Sequence, residues 1–294
     1  MKPFYLSEIT TKDGLIHQGI FFSPKNPGKR AILWVHGLTG RFYGDPIINN
    51  AFAEECETQG WGFAAFNNRG HDVIANVRKI DKRKKTGFAH TVIGAGAEKF
   101  IDCIYDIDAA IGFLENQGFS EIILVGHSTG ANKACYYAAT QKDPCVVGVV
   151  LSGPLSDRYA SGYTPETYEK YREFMEKKIV EGKGDELLEG YNFFALTPNR
   201  WVSLYVEGSA EDVFNYSDGD KALTQFIRIA IPLMVINAGN DEHAHISIQE
   251  IKRLFDSHTR SNNYKSIIIP GVLHGFEGKE KEVVNAIIEW VKTI

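Results

Sequence analysis

The chain reads as an α/β protein built on a mostly parallel sheet with helices on both faces. Three observations predict this. Short apolar runs without polar alternation recur at 31–35, 62–66, 121–125 and 146–151. Strands buried on both faces look like this. Amphipathic helical stretches alternate with them, as crossover connections in a parallel sheet require. A glycine-flanked serine, Gly126-His127-Ser128-Thr129-Gly130, sits where one such strand meets the next helix.

The elements follow in order. Residues 4–10 and 15–22 read as two strands joined by a turn at Lys12-Asp13-Gly14. A third strand is expected at 31–35, a helix at 46–59 and a fourth strand at 62–66. The clearest helix spans 99–117, because Phe100, Ile104, Ile107, Ile111 and Leu114 fall on one face. A strand at 121–125, a helix at 131–141 and a strand at 146–151 continue the alternation. The pattern breaks after Gly153-Pro154. Residues 155–229 are richer in aromatic and charged residues and show no convincing strand. One helix inside them is expected from Thr164 as its cap, Pro165 at its first position and Glu166 in its first turn. Its stripe of Tyr168, Tyr171, Met175 and Ile179 is read as packing onto the main domain, and part of it could also roof a pocket. Strands at 232–237 and 264–269 and helices at 246–257 and 279–294 complete the pattern, giving eight strands.

Bulk properties limit the function. A chain of 294 residues fits one large domain or one domain with an insertion. A net charge of −5 argues against nucleic acid as a partner. Residues 1–10 hold no apolar run of signal-peptide length, and no stretch reaches the length of a membrane span. A cytoplasmic protein without stable membrane insertion is expected. Cys56, Cys103, Cys135 and Cys145 form no C-x-x-C pair and no metal spacing, so they are read as reduced, mostly buried thiols.

The chemistry centres on Ser128. A serine at the tip of so tight a strand-to-helix turn needs small neighbours two residues to either side. The helix that follows points its N-terminus at the site and favours developing negative charge. A serine hydroxyl is a weak nucleophile and needs a histidine base, itself oriented by a carboxylate. Asp241, in a loop after the strand at 232–237, and His274, after the last strand, supply these in the order serine, acid, histidine. An oxyanion hole is expected from the backbone N–H of Thr129 and of Leu38, which follows His36-Gly37 after the third strand.

Rivals exist for several of these roles. Glu242 could replace Asp241, and His243 or His245 could be mistaken for the base, although both lie on the loop of the acid itself. His258 falls near a helix end and is read as solvated. His36 is read as a hydrogen-bonding support under its loop. Arg78, Lys79, Lys82, Arg83, Lys84 and Lys85 crowd the connection between the fourth strand and the following helix. They are read as a solvated loop, with the alternative that some of them meet an anionic substrate group. Arg69 and His71 are read as structural, with the alternative that they shape the pocket floor.

With these residues in place the chain resembles the α/β-hydrolase superfamily over nearly its full length. The resemblance rests on His36-Gly37, Gly126-His127-Ser128-Thr129-Gly130, Asp241 and His274. It implies an eight-stranded, mostly parallel sheet with a helical cap inserted after strand six. The core is then 1–154 and 230–294, and the cap 155–229. Asn67-Asn68-Arg69-Gly70-His71-Asp72, together with Asn132-Lys133 after the serine motif, resemble a branch of the superfamily that includes fungal siderophore esterases.

The expected activity is a serine hydrolase that cleaves carboxylic esters through an acyl-enzyme, with a small-molecule ester or related acyl substrate. No metal or organic cofactor is expected. A thioesterase, an amidase or peptidase, and an acyltransferase use the same triad and stay open as alternatives. A non-catalytic scaffold of the same fold is the rival from another class. A homodimer is compatible with the sequence.

Overall fold

A computed structural model describes residues 2–217 and 223–294. Eight strands form one sheet: β1 (Tyr5–Thr10), β2 (Ile16–Phe22), β3 (Arg30–Val35), β4 (Gly62–Phe66), β7 (Glu121–His127), β8 (Val146–Ser152), β9 (Leu233–Ala238) and β10 (Tyr264–Ile269). Their order across the sheet is β1-β2-β4-β3-β7-β8-β9-β10. β1 pairs with β2, and β2 with β4, in antiparallel fashion; every other neighbour is parallel. The sheet therefore has the mostly parallel form expected.

Side chains alternate between its two faces, as the pleat requires. In β3, Ala31, Leu33 and Val35 join one core, while Ile32 and Trp34 join the other. The first core is covered by α2 (Cys103–Asn116), α3 (Thr129–Thr140) and α7 (Ile248–His258). The second is covered by α1 (Pro46–Gln59) and α8 (Glu280–Val291). Of the stripe expected at 99–117, Ile107, Ile111 and Leu114 of α2 and Phe100 in the turn before it are nearly inaccessible, and Ile104 is partly buried. Truncating a side chain packed this way costs about 2–5 kcal/mol. The four cysteines are free, and Cys56, Cys103 and Cys135 are buried.

The connection between β4 and α2 departs from the sequence reading. The expected loop is an antiparallel hairpin of β5 (Ala75–Ile80) and β6 (Phe88–Ile93). It stands off the main sheet and packs Val77 and Ile93 onto Leu15 of the β1–β2 turn. The basic residues sit on this hairpin and its tip. Arg78 pairs with Glu8, and Arg83 with Asp81 at 2.9 Å.

Between β8 and β9 lie α4 (Asp157–Ala160), α5 (Pro165–Val180) and α6 (Pro198–Tyr205). α5 begins as expected: Pro165 opens it and the Thr164 hydroxyl accepts from the Thr167 N–H at 3.2 Å. Tyr168, Tyr171 and Met175 of its stripe meet Trp201, Leu204 and Tyr205 of α6 in a further, aromatic core that also takes in Leu38 and Ala95. Residues 218–222 of the expected cap lie outside the described residues. Among the described residues no helix is long and apolar enough to cross a membrane.

Candidate active site

Ser128 occupies the turn from β7 into α3. Its backbone has φ 58° and ψ −130°, in the left-handed half of conformational space that costs a non-glycine residue of order 1–3 kcal/mol. The flanking glycines make the turn possible. A Cβ on Gly126 would lie 2.1 Å from the Gly130 carbonyl oxygen, and one on Gly130 would lie 2.2 Å from that of Val35.

The three residues expected to act together meet. His274 Nε2 is 2.8 Å from Ser128 Oγ, and His274 Nδ1 is 2.8 Å from Asp241 Oδ2. The other carboxylate oxygen of Asp241 accepts the His243 N–H at 3.0 Å. Burial pushes the Asp241 carboxyl upward, but its hydrogen bond to His274 and the neighbouring charge outweigh this and hold it below the usual range. An ionised Asp241 then requires the proton of neutral His274 to sit on Nδ1, leaving Nε2 as an acceptor facing the serine hydroxyl.

The rivals hold other positions. Glu242 accepts the main-chain N–H of His274 at 2.8 Å, so it anchors the histidine loop and not the ring. His243 lines the same cleft, edge-on to the His274 ring with centroids 5.1 Å apart. His245 stacks on Tyr159 at 3.9 Å. His258 is half-buried, with Nδ1 2.8 Å from the Leu254 carbonyl. His127 donates from Nε2 to the His274 carbonyl at 3.1 Å. Burial, then the His274 charge, push its pKa down to about 4, so it is neutral.

Leu38 and Thr129 flank Ser128 in the cleft wall. Among the described residues, neither backbone N–H is taken up by a main-chain acceptor. Gly37 lets its loop approach the serine: a Cβ there would lie 2.7 Å from Ser128 Cβ. The loop is braced from below by His36, whose Nε2 accepts the Asn68 N–H at 3.1 Å while Nδ1 lies 2.9 Å from the Gly37 carbonyl. Burial pushes the pKa of His36 down to about 3, so the ring is neutral and Nδ1–H donates.

The second set of motif residues forms a buried scaffold. Lys133 Nζ donates to Asn68 Oδ1 at 3.0 Å and pairs with Glu98 at 2.5 Å. Asn68 Oδ1 also accepts the Gly70 N–H at 2.9 Å. Arg69 pairs with Asp106 at 2.9 Å and with Asp13 and Asp102 at 3.3 Å. His71 lies 2.9 Å from Asp72. None of Arg69, His71 or the basic hairpin residues lines the cleft at Ser128. For Arg69 and His71 the structural reading therefore holds.

The cleft itself has a volume of about 230 Å³. Leu155, Ala160, Phe193 and Tyr205 form its apolar wall, and Asp157 adds a carboxyl. Sequence reasoning missed these residues, because residues 155–229 offer no period or motif that marks a lining position. Among the described residues no cluster of histidine, cysteine and acidic side chains could hold a metal ion.

The sheet order, the strained serine turn and the helices on both faces define an α/β-hydrolase fold. Solved structures agree over the whole chain. Est1E from Butyrivibrio proteoclasticus with ferulic acid bound superposes with TM-score 0.66 at 17% identity, covering 98% of each chain. A thermostable carboxyl esterase from Bacillus coagulans in complex with glycerol gives 0.68 at 16% identity, covering 100% of this chain and 99% of its own. The α/β hydrolase GrgF from Penicillium sp. sh18 gives 0.69 at 15%, covering 99% of each. No curated protein matches the chain. The chain belongs to the family described as protein of unknown function DUF1749, whose pattern matches residues 21–294.

Proposed function

We propose that the protein is a serine hydrolase that cleaves carboxylic esters through an acyl-enzyme. The observation that carries this reading is the His274 ring, held by Asp241 on one nitrogen and facing Ser128 Oγ with the other, both at 2.8 Å. His274 Nε2 takes the hydroxyl proton as Oγ attacks the ester carbonyl carbon. Asp241 stabilises the resulting imidazolium. The N–H groups of Leu38 and Thr129 hold the oxyanion. The tetrahedral intermediate collapses, the C–O bond to the alcohol breaks, and the alkoxide leaves with the proton from His274. Water then attacks the acyl-enzyme, giving its proton to His274, and the acid departs as Ser128 recovers its hydrogen.

Two neighbours of the same fold are named as esterases or carry an acid bound, Est1E with ferulic acid and the Bacillus coagulans carboxyl esterase, and they favour esters as the substrate class. Residues 155–229 act as the cap: Leu155, Asp157, Ala160, Phe193 and Tyr205 from this segment close one side of the cleft. The volume of about 230 Å³ fits a small substrate group.

The test is hydrolysis of p-nitrophenyl esters from acetyl to long-chain acyl, beside a thioester and an anilide, by the wild type and by Ser128→Ala. The reading expects ester hydrolysis that vanishes in the variant, with an optimum at short acyl chains. Ester hydrolysis that persists in Ser128→Ala, or turnover of the thioester or anilide alone, contradicts it.

A further inference from the structure

Asp157 has a place in the cleft that the triad does not use. It is 8% exposed, and what remains accessible lines the cleft with Ser128 and His274. One of its oxygens, Oδ2, receives a single long hydrogen bond from Asn132 Nδ2 at 3.4 Å. That amide also donates to the Leu155 carbonyl at 3.3 Å and the Glu211 carbonyl at 3.4 Å, which fixes its NH₂ group toward Asp157. Among the described residues Oδ1 has no partner, and no cation stands within ion-pair distance.

We propose that Asp157 is a specificity-determining residue whose carboxyl group donates a hydrogen bond to an uncharged acceptor oxygen of the ester held at Ser128. The inference rests on the reading of Ser128 as an esterase nucleophile and adds the kind of substrate the cleft selects: one with an ether, hydroxyl or carbonyl oxygen beside the scissile group.

The charges around Asp157 explain why it donates and does not accept. Behind it lies a buried network in which Lys133 pairs with Glu98 at 2.5 Å, and Arg200 pairs with Glu98 at 3.3 Å and with Glu211. These two cations and two carboxylates already balance. A third ionised carboxylate would be an uncompensated buried charge, which proteins avoid by keeping the proton. Burial, then Glu211, raise the Asp157 pKa well above the usual carboxylate range, while Arg200 and Lys133 oppose them with less effect. The adjacent Arg158 is engaged elsewhere, with Glu207 at 2.7 Å and Asp212 at 3.8 Å. The other titratable groups of the cleft wall are His243, His274 and Tyr205. A protonated carboxyl with one oxygen unpaired and facing the cleft is a donor available to an acceptor held there.

The test uses two pairs of esters of equal length, followed by pH-stat titration. In one pair a methoxy oxygen replaces a methylene of the acyl chain, and in the other a methylene of the alcohol. An ester with a terminal ammonium group is added as a cationic probe. Wild type is expected to prefer the methoxy member of at least one pair by roughly two- to tenfold in kcat/KM, as one neutral hydrogen bond supplies. Asp157→Asn keeps an N–H donor and is expected to keep that preference. Asp157→Leu is expected to bring the ratio to one. The ratio within a pair does not depend on the fraction of enzyme folded, so a poorly folding variant still gives an answer. Equal turnover of the two members of each pair by wild type overturns the inference. So does equal loss of preference in both variants, or a preference for the ammonium ester that Asp157→Asn removes, which would make Asp157 an ionised acceptor. Failure to hydrolyse any ester, with no labelling of Ser128 by a fluorophosphonate, sinks the esterase reading and the inference with it. Hydrolysis without preference sinks the inference alone.

Discussion

Asp241→Asn is the sharpest probe of how His274 is held. The Asp241 carboxylate accepts two donors, the His243 N–H at 3.0 Å and His274 Nδ1 at 2.8 Å. An amide of the same shape has one acceptor oxygen. If that oxygen keeps the His243 N–H, the NH₂ group faces Nδ1, and the imidazole must move its proton to Nε2. Nε2 is the nitrogen 2.8 Å from Ser128 Oγ, and once protonated it cannot take the hydroxyl proton. Serine hydrolases with the wrong tautomer lose about 10⁴ in kcat, which at 1.36 kcal/mol per tenfold is about 5.4 kcal/mol. Glu242 cannot stand in, because it is tied to the main-chain N–H of His274. The assay is kcat and KM for p-nitrophenyl acetate, with circular dichroism to check folding. A fall in kcat of less than tenfold in a folded variant would refute the reasoning, since the ring would then be oriented by something other than Asp241.

Three further perturbations test the surroundings. Gly37→Ala places a methyl group 2.7 Å from Ser128 Cβ, so the Leu38 loop must move; kcat should drop about 10²-fold or more, as when one oxyanion donor is lost, with little change in KM. Lys133→Met leaves Glu98 facing Arg200 alone and removes a donor from Asn68; chemical denaturation should show a loss of about 3–5 kcal/mol, as for a broken buried ion pair. Asp106 links stability to pH. Burial alone would raise its pKa, but His17 and Arg69 outweigh that and hold the folded-state value well below the usual range. Its stabilisation is therefore present above the unfolded value of about 3.9 and fades as pH falls toward the folded one. Wild-type Tm should fall more steeply than that of Asp106→Asn between about pH 5 and about pH 2.

The parts of the fold set by strong local physics were legible in the sequence. The strands at β3, β4, β7 and β8 are apolar on both faces because helices cover both, and no polar alternation hides them. The serine turn was legible because only glycine fits at positions 126 and 130. The β5–β6 hairpin was not. Its residues are largely polar or charged, since apart from Val77 and Ile93 it has little core to bury, and its basic tip reads as a loop. At the cleft, Ser128, Asp241 and His274 could be placed because each follows a strand in a fixed order. Phe193, Tyr205 and Asp157 could not, because their positions depend on how the aromatic core of α5 and α6 folds back over the sheet. Arg200 and Glu211 meet only through that packing.

The claim at the centre of the account is that His274 activates Ser128. It is tested most directly by incubating the native protein with a fluorophosphonate and locating the adduct by mass spectrometry of its peptides. The account predicts one adduct, on Ser128, formed by the wild type and lost in His274→Ala. No adduct on Ser128, or labelling of equal rate without His274, would contradict it.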